Sequence, residues 1–538
     1  MTSLYFNLST ILMLKKLQRP SLLQVRIISI VIFLNAIPIL ALPQAGALDS
    51  SFGVGGKIIT PFDGARAYCS SISLLDDGKI MIAGIAQRND SRLRDMILAK
   101  YETNGRLDTS FGLKGKVITS FKESSTADAM IVQKDRKILV AGKYSWYGAA
   151  LVRFNQNGSL DTSFGDSGLV ITQAEGYYGD HFNSLARQSD GKILAAGFVQ
   201  QSGDDSSHTL LVRYLPDGSP DSSFGNNGIL IGSSGKANAM VIQKDDKILL
   251  AGQESKGSAD NRFRFLVKRY NSDGSRDKDF GNNGKASIQI TSYSEAHAIA
   301  LQDDGKILLA GQGNSAVHFP GSDFALVRLL SNGNLDKTFG NEGKVTTTFE
   351  GSGKAFTIKL QDNGKVVVAG YAGTKSAGSH FALARYNSYG ELDTSFGTTG
   401  MIVSTTKHYS LGSSLAIQND GRILLGGQTD TSGSNNTSVT LLRFIGDEAL
   451  GQNEHCCKQG VLHVYPNPIT QTPKVYIKHP FKDGRLILFN AQGQILITKN
   501  LSDQEFGLEI DNLTNGIYLI QATNHKGSMA TQTLVISR

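Results

Sequence analysis

The stretch ALVRFNQNGSLDTSFGDSGLVIT, residues 150–172, decides the fold because variants of it return along most of the chain. It joins an apolar run, a polar turn, the signature Leu-Asp-x-x-Phe-Gly and a second apolar run. The Phe-Gly pair recurs at intervals of about 57 residues. Its phenylalanines are Phe52, Phe111, Phe164, Phe224, Phe280, Phe339 and Phe396. Such a period is typical of propellers, solenoids and arrays, in which one repeat cannot bury its apolar face alone.

Each repeat contains four short runs rich in apolar and β-branched residues, which favour strands. In one unit these runs are residues 116–121, 127–133, 137–142 and 149–154. Between the second and third runs, Asp-Gly or Asn-Gly supplies the positive φ of a two-residue hairpin turn. Asp135-Arg136 and Asp245-Asp246 replace these pairs in units two and four, so those turns are expected to be more strained. The repeats predict an all-β, seven-bladed β-propeller with four antiparallel strands per blade, closed where residues 48–60 meet residues 440–445.

The second and third runs carry further positional signals. The third run is apolar throughout, as in KIMIAG and KILLAG, which suits a strand covered by blades on both sides. Cys69, on the second run, is expected to be a buried small apolar residue and not a nucleophile. One position of the second run is polar and variable, which favours a solvent-facing strand position; the alternative is that it lines the axial channel. Its residues are Ser70, Asp128, Asn183, Asn238, His297, Phe356 and Ser413.

A basic residue ends the fourth run and an Asp follows in the signature, as in Arg153 with Asp161 and Arg328 with Asp336. A catalytic residue would not be needed in every blade, so we interpret the pair as structural. The carboxylate either holds the signature turn or accepts a charge-assisted bond from the Arg. The same structural set includes Phe111, Gly112, Phe164, Gly165, Phe339 and Gly340. No cofactor is predicted; calcium at the polar turn is an alternative that lacks the spacing and terminal Glu of an EF-hand loop.

Together, Leu-Asp-x-x-Phe-Gly, Asp-Gly-Lys and Ala-Gly at fixed offsets resemble the delta-60 repeat, a bacterial β-propeller repeat. The resemblance is best over residues 335–387 and departs from the pattern at Pro220 and Arg276, where Leu is usual. It covers residues 48–445. The resemblance implies a propeller fold but no established chemistry.

Residues 1–47 are typical of a signal peptide. Basic residues precede an apolar run at 27–42, and Pro-Gln-Ala-Gly-Ala follows, so cleavage is predicted after Ala47. The apolar run is interrupted by Asn35 and Pro38 and is shorter than the roughly 20 residues of a transmembrane helix. We therefore expect a mature protein without a transmembrane span. Met13 is a possible true start, since it directly precedes the basic residues.

After a polar linker at 446–460, residues 461–538 contain about seven short apolar runs, which predict a small Ig-like β-sandwich. The motifs YPNP at 465–468, FNAQGQIL and LTNGIYLI, with a terminal strand, resemble the type A C-terminal sorting domain of the type IX secretion system. This resemblance implies the type IX machinery as a partner. It also implies passage through the periplasm to the outside, where the protein is released or attached to the outer cell surface.

Charge and motifs exclude several function classes. The formal net charge is +7, but four basic residues lie in the leader, so nucleic-acid binding is not indicated. The three cysteines, Cys69 and the pair Cys456-Cys457, fit neither a disulfide framework nor a zinc site. The sequence has no Gly-x-Ser-x-Gly elbow, His-Glu-x-x-His helix or phosphate loop.

Variable loops between the third and fourth runs are the expected location of binding specificity. In unit two this loop contains Tyr144, Trp146 and Tyr147, which are candidate ligand-stacking residues, although Trp146 could instead cover a neighbouring blade. The sequence favours an exported, monomeric, non-enzymatic binding or scaffold propeller for an extracellular glycan or protein. The alternative is a secreted glycan- or peptide-degrading hydrolase or lyase. Paired carboxylates about 5 to 9.5 Å apart at the channel mouth would favour a glycosidase.

Overall fold

The computed structural model divides into two compact units, Met1–Glu448 and Ala449–Arg538. The boundary falls inside the predicted linker. The residues that the structure describes are 44–62, 65–88, 93–145, 148–201, 206–255, 263–314, 321–374, 378–404, 409–433, 436–447, 463–465, 474–478, 484–490, 494–501, 505–523 and 529–536. No helix among them is long and apolar enough to span a membrane.

The first unit contains seven antiparallel sheets of four strands each. The inner strands are β2 (Ala65–Leu74), β6 (Ala129–Val132), β10 (Tyr177–Arg187), β14 (Lys236–Ile242), β18 (Ser294–Leu301), β22 (Ser352–Leu360) and β26 (Ser410–Ile417). The second strands are β3 (Ile80–Arg88), β7 (Ile138–Tyr144), β11 (Ile193–Gln201), β15 (Ile248–Ser255), β19 (Ile307–Asn314), β23 (Val366–Thr374) and β27 (Ile423–Asp430). The third strands are β4 (Arg94–Tyr101), β8 (Gly148–Phe154), β12 (Ser207–Tyr214), β16 (Phe263–Tyr270), β20 (Ser322–Leu329), β24 (Gly378–Tyr386) and β28 (Thr437–Phe444). The outer strands are β5 (Lys116–Thr119), β9 (Leu169–Thr172), β13 (Ile229–Ser234), β17 (Lys285–Ile288), β21 (Lys344–Thr347), β25 (Met401–Ser404) and β1 (Lys57–Thr60).

These sheets are the blades of a closed ring. The inner strands of successive sheets lie against each other, and β26 of the seventh sheet lies against β2 of the first. Seven apolar clusters fill the spaces between neighbouring blades. The predicted seven-bladed propeller is therefore confirmed.

The sequence repeat and the blade are out of phase by one strand. Residues 116–121, predicted to open unit two, instead form the outer strand of blade one, where Thr119 pairs with Met96. The seventh blade consequently has no outer strand of its own. β1 supplies it, with Lys57 opposite Leu442. The predicted closure between the two ends of the repeat region is confirmed, and it removes an exposed sheet edge.

We call the face that carries the signature turns the lower face. The opposite face, which carries the loops between second and third strands, is the upper face.

On the lower face the Arg that recurs in the repeats joins two blades. Arg153 donates to the Asp161 carboxylate at 2.6 Å and to the Pro216 carbonyl of the next blade at 2.5 Å. Its guanidinium carbon lies 4.3 Å from the centre of the Phe164 ring. The Gly165 N–H also donates to the next blade, so each signature fastens its blade to the following one.

The same arrangement recurs in blade five, where Arg328 donates to Asp336 at 2.8 Å and covers the buried Phe339 ring. The Asp336 carboxylate also accepts the Thr338 N–H two residues on. Both predicted roles of the Asp, holding the turn and binding the Arg, are thus found together. The Gly340 and Gly112 N–H groups donate to the next blade in the same way, and Phe111 is buried between blades one and two.

Blade one departs from this pattern because Lys100 stands in place of the Arg. Its ammonium lies 3.3 Å from Asp108, and a cavity of about 200 Å³ bordered by Lys100 and Gln156 remains where blade one faces blade two. A guanidinium there could also reach the Gln156 carbonyl and lie over Phe111, as Arg153 does one blade later. Lysine cannot provide the planar, forked donor set that this geometry uses.

We expect Lys100→Arg to stabilise the propeller by about 1 kcal/mol, because it adds a charge-assisted interblade bond and fills the cavity. Chemical denaturation of the two proteins measures the difference. The matched reverse variant is Arg153→Lys, which should lose stability. Equal midpoints for Lys100→Arg and the wild type would show that the Arg does not join the blades energetically.

The signature carboxylates are all held in their charged form. Burial raises the pKa of each, but hydrogen bonds from the following Ser or Thr and the nearby Lys and Arg outweigh it, so each pKa lies below its ordinary value. These carboxylates are Asp49, Asp108, Asp161, Asp221, Asp277, Asp336 and Asp393. Asp277 is followed two residues later by Asp279 and not by Ser or Thr, and its carboxylate accepts a hydrogen bond from the Asp279 backbone N–H.

This shift predicts a loss of stability in acid. A carboxylate whose folded pKa is depressed stabilises the fold above its unfolded pKa, and this contribution disappears as the pH falls through the folded pKa. The Asp393 pKa is lowered to about 2, so the melting temperature should fall between about pH 4 and pH 2. Thermal melts across this range test the prediction. Asp161→Asn should start lower and fall less steeply, whereas a constant wild-type melting temperature would contradict the assignment.

The hairpin turn between the inner and second strands has three residues, not the predicted two. The Gln133 N–H donates to the Lys137 carbonyl at 2.8 Å, and the Arg136 N–H donates to the Gln133 carbonyl. Only the last of the three residues has positive φ, which is a glycine in five blades. The expected strain in units two and four is confirmed, because Arg136 and Asp246 adopt φ of 63° and 59°.

The second unit contains two sheets, in the orders β29-β30-β33 and β32-β31-β34-β35. Its strands are β29 (His463–Tyr465), β30 (Lys474–Lys478), β31 (Gly484–Phe489), β32 (Ile495–Leu501), β33 (Glu505–Glu509), β34 (Gly516–Thr523) and β35 (Met529–Ile536). Leu508 of the first sheet shares one buried core with Leu486 and Ile520 of the second. The two sheets therefore pack face to face, as predicted for a sandwich.

Candidate ligand-binding site

One residue from the inner strand of each blade lines the axial channel. In six inner strands a β-bulge interrupts pairing with the second strand at the same position. The residues at this position are Ser70, Asn183, Asn238, His297, Phe356 and Ser413, and Asp128 occupies the equivalent place in blade two. All seven line a central cavity of about 620 Å³. The favoured interpretation as a solvent-facing strand position is wrong: the variable position lines the channel, because the bulge turns it inward.

The Ala-Gly pair of the second strand makes room for this bulge. A β-carbon placed on Gly311 would lie 1.9 Å from the Glu295 carbonyl oxygen, and the equivalent glycines of the other blades are equally close to the inner strand. A side chain cannot be accommodated there without moving the bulged backbone. The conserved glycine of the repeat is thus a requirement of the channel geometry.

Several channel residues also join neighbouring inner strands. The Asn183 side chain donates to the Ala237 carbonyl of the next blade at 2.9 Å. Ser413 of blade seven donates to the Cys69 carbonyl of blade one, which closes the series around the ring. Cys69 itself is buried, and burial raises the pKa of its thiol to about 12, in agreement with its predicted role as a small core residue.

Asp128 on blade two lines the channel, and Glu295 on blade five lies beside the channel residue His297. Asp128 lies 2.8 Å from the His181 ring nitrogen. Glu295 accepts the Asn238 amide at 3.0 Å. Both groups are bound to neighbouring side chains, and two blades separate the strands that carry them.

His297 differs from the other channel residues in having no hydrogen-bond partner for its Nε2 atom, which is buried. The Glu295 carboxylate is 3.6 Å from it. Burial, with a further contribution from Lys354, lowers the pKa of His297 to about 3. The imidazole is therefore neutral at physiological pH and can act as donor or acceptor.

The lower half of the channel carries Lys359, which lines the cavity. The surrounding protein lowers the pKa of its ammonium group by desolvation. Among the described residues, no three His, Cys, Asp or Glu side chains converge as a metal site would require.

Of the candidate stacking residues of blade two, the structure describes Tyr144, at the upper end of its strand. Tyr144 ends β7 and packs edge-on against Phe121, with ring centres 5.9 Å apart, so it is partly committed to the core between blades. Trp146 and Tyr147 lie outside the described residues, as do His455, Cys456 and Cys457. Their assignment therefore stays a prediction.

Residues 45–47, just before the predicted cleavage point, contact blades six and seven. The Gly397 N–H donates to the Ala45 carbonyl at 2.8 Å, and the Ile445 N–H donates to the Ala47 carbonyl at 2.8 Å. Cleavage after Ala47 would remove these two bonds. N-terminal sequencing of the secreted protein tests the predicted cleavage point.

The sequence matches the family described as a domain of unknown function (DUF5122) β-propeller. The matches cover residues 75–111, 133–164, 188–224, 243–280, 302–339 and 361–396. Residues 463–537 match the secretion system C-terminal sorting domain, which indicates secretion and attachment to the cell surface. No curated protein matches the chain.

Three solved structures illustrate the spread of similar folds. PorZ, a surface component of the type IX secretion system of Porphyromonas gingivalis, is 13% identical with a TM-score of 0.36, covering 86% of this chain and 59% of PorZ. The chain thus spans less than two thirds of PorZ. A copper-bound fungal alcohol oxidase of the AA5 family is 12% identical with a TM-score of 0.39, covering 90% of this chain and 99% of the oxidase. A Dyadobacter fermentans protein of unknown function is 12% identical with a TM-score of 0.39, covering 73% of this chain and 98% of its own.

Each of the six family matches ends at the phenylalanine of a signature turn, so the matches follow the repeats of the ring. The two-sheet C-terminal unit agrees with the sorting-domain match. Residues 75–396 therefore consist of DUF5122 β-propeller repeats, and residues 463–537 form a secretion system C-terminal sorting domain.

Proposed function

We propose that this protein is an exported, monomeric, non-enzymatic binding propeller whose ligand enters the upper mouth of the axial channel. Its sorting domain and leader suit an extracellular ligand, either a glycan or a protein. The type IX machinery would handle the sorting domain, and the propeller would act outside the cell, released or attached to the surface.

The observation that supports binding over hydrolysis is the state of the channel carboxylates. A glycosidase needs an acid and a second carboxylate that face the same bond. Here Asp128 is bonded to His181 and Glu295 to Asn238, on blades that are not neighbours. Neither group is free to serve as half of such a pair. The rigid ring nevertheless presents an open, side-chain-rich cavity, which is the usual form of a ligand site.

The test uses the purified mature full chain, incubated with neutral and acidic oligosaccharides and with a peptide library. Binding is followed by calorimetry and products by chromatography. We expect saturable binding of one ligand class without product formation. Product that disappears in Glu295→Gln would contradict the proposal and favour the alternative of a secreted hydrolase or lyase.

A further inference from the structure

Five aromatic residues lie along one side of the upper channel mouth, and three of their rings are in contact. The His297 and Phe356 rings are 5.3 Å apart, and the Phe356 and Tyr371 rings 5.9 Å apart. Tyr409 directly precedes β26, the inner strand that lies between β22 of blade six and β2 of blade one, and Tyr68 lies on β2 and lines the channel. The aromatic arc, defined as these five residues, thus runs from blade five through blades six and seven to blade one.

The arc is accessible from the upper face. Tyr409 is 37% exposed and directly precedes β26. Tyr371 lies near the end of β23, opposite Lys354 near the start of β22. Tyr68, Phe356 and Tyr371 are half-buried, and His297 is the least accessible, with 11% of its side chain exposed. This is the same face that carries Tyr144 and the variable loops.

The opposite side of the mouth has a different character. At the position of Phe356, blades two, three and four carry Asp128, Asn183 and Asn238. The channel mouth therefore has one aromatic side and one polar side. A ligand that fills it must present an apolar face and hydrogen-bonding groups at once.

Charges near the arc are balanced. The Lys354 ammonium lies 5.1 Å from the centre of the Phe356 ring. Burial lowers its pKa, and the Glu295 carboxylate of the adjacent blade opposes this shift by favouring the charged form. One positive and one negative group thus flank the aromatic side, and the imidazole of His297 is neutral. A strongly charged ligand would gain little from this arrangement, because either sign meets a like charge.

We infer that the aromatic arc is a stacking platform for a sugar ring of a neutral oligosaccharide. This inference rests on the proposed binding function. A pyranose ring offers an apolar face of C–H groups to the aromatic rings and hydroxyl groups at its edge. His297, whose ring lies 5.3 Å from that of Phe356, forms the inner end of the platform. The polar residues Asp128, Asn183 and Asn238, which line the other side of the channel, supply hydrogen-bonding groups for the hydroxyls.

The test titrates the mature full chain with cellohexaose, xylohexaose and mannohexaose by calorimetry. Tyr409→Ala and Tyr371→Ala should weaken binding of the preferred hexasaccharide by about tenfold or more, as expected for an aromatic contact residue. The matched control is Tyr389→Ala, which removes a 66% exposed tyrosine from the polar turn of the lower face. It should bind like the wild type. If Tyr371→Ala lowers the melting temperature, its weaker binding could come from unfolding. The test then rests on Tyr409→Ala, because the Tyr409 side chain is the most exposed of the arc.

Two results would overturn the inference. Undiminished hexasaccharide binding by Tyr409→Ala would place the ligand elsewhere. Failure of all three neutral hexasaccharides, with binding of acidic oligosaccharides or peptides, would reject the neutral sugar while leaving the proposed binding function in place. Failure of every probe would count against both.

Discussion

Replacing Gly311 with Ala should destabilise the propeller by at least about 3 kcal/mol, because the new β-carbon overpacks a site with no room to relax. It would lie 1.9 Å from the Glu295 carbonyl oxygen, a backbone atom fixed on both sides by the bulge. Relief requires either opening the bulge or separating β19 from β18. Chemical denaturation measures the loss.

Gly313→Ala is the matched control, two residues further along the same strand. Its β-carbon would meet only the Thr291 side chain, at 3.1 Å, which can move by a few tenths of an ångström. We expect a smaller loss than for Gly311→Ala. Similar losses for the two variants would mean that the cost comes from strand glycines in general and not from the bulge.

Replacing Asp49 with Ala should cost about 3 to 5 kcal/mol, since a buried ion pair loses one partner and leaves charge uncompensated. The Asp49 carboxylate accepts bonds from Arg443 at 2.7 Å and Arg422 at 2.8 Å. It belongs to the N-terminal end of the ring, whereas both arginines belong to the last blade. This contact is the only signature pair whose two members come from opposite ends of the repeat region.

The variant should therefore release β1 specifically. Hydrogen exchange of the Lys57–Thr60 amides, which pair with β28, should accelerate strongly in Asp49→Ala. Asp161→Ala removes the equivalent carboxylate within an interior blade and should lose similar stability without faster exchange in β1. Protected β1 amides in Asp49→Ala would show that closure does not depend on this contact.

The repeat made the blade number, the buried central strands and the point of closure predictable, because each follows from periodicity and hydrophobic pattern. The blade phase was not predictable in this way. A run such as residues 116–121 is equally suited to either neighbouring sheet, and only the pairing of Thr119 with Met96 assigns it. The bulge was also missed, although the constant glycine of the Ala-Gly pair was its sequence signal.

The aromatic arc could not be found from sequence because its members come from different kinds of segment. Tyr371 lies on a second strand that was interpreted as core, and Tyr409 precedes an inner strand. Tyr68 and Tyr409 become neighbours only when the ring closes. The one available signal was Phe356, an aromatic residue at a position that is polar or small in the other blades apart from His297.

The most direct measurement is hydrogen exchange of the mature protein with and without the hexasaccharide that binds best. A ligand on the arc should slow exchange at the start of β26, around Tyr68 in β2 and at the end of β23, and leave the lower face unchanged. We expect amide protection confined to the upper mouth. Protection confined to the lower face or the C-terminal unit, or no change at the upper mouth, would contradict it.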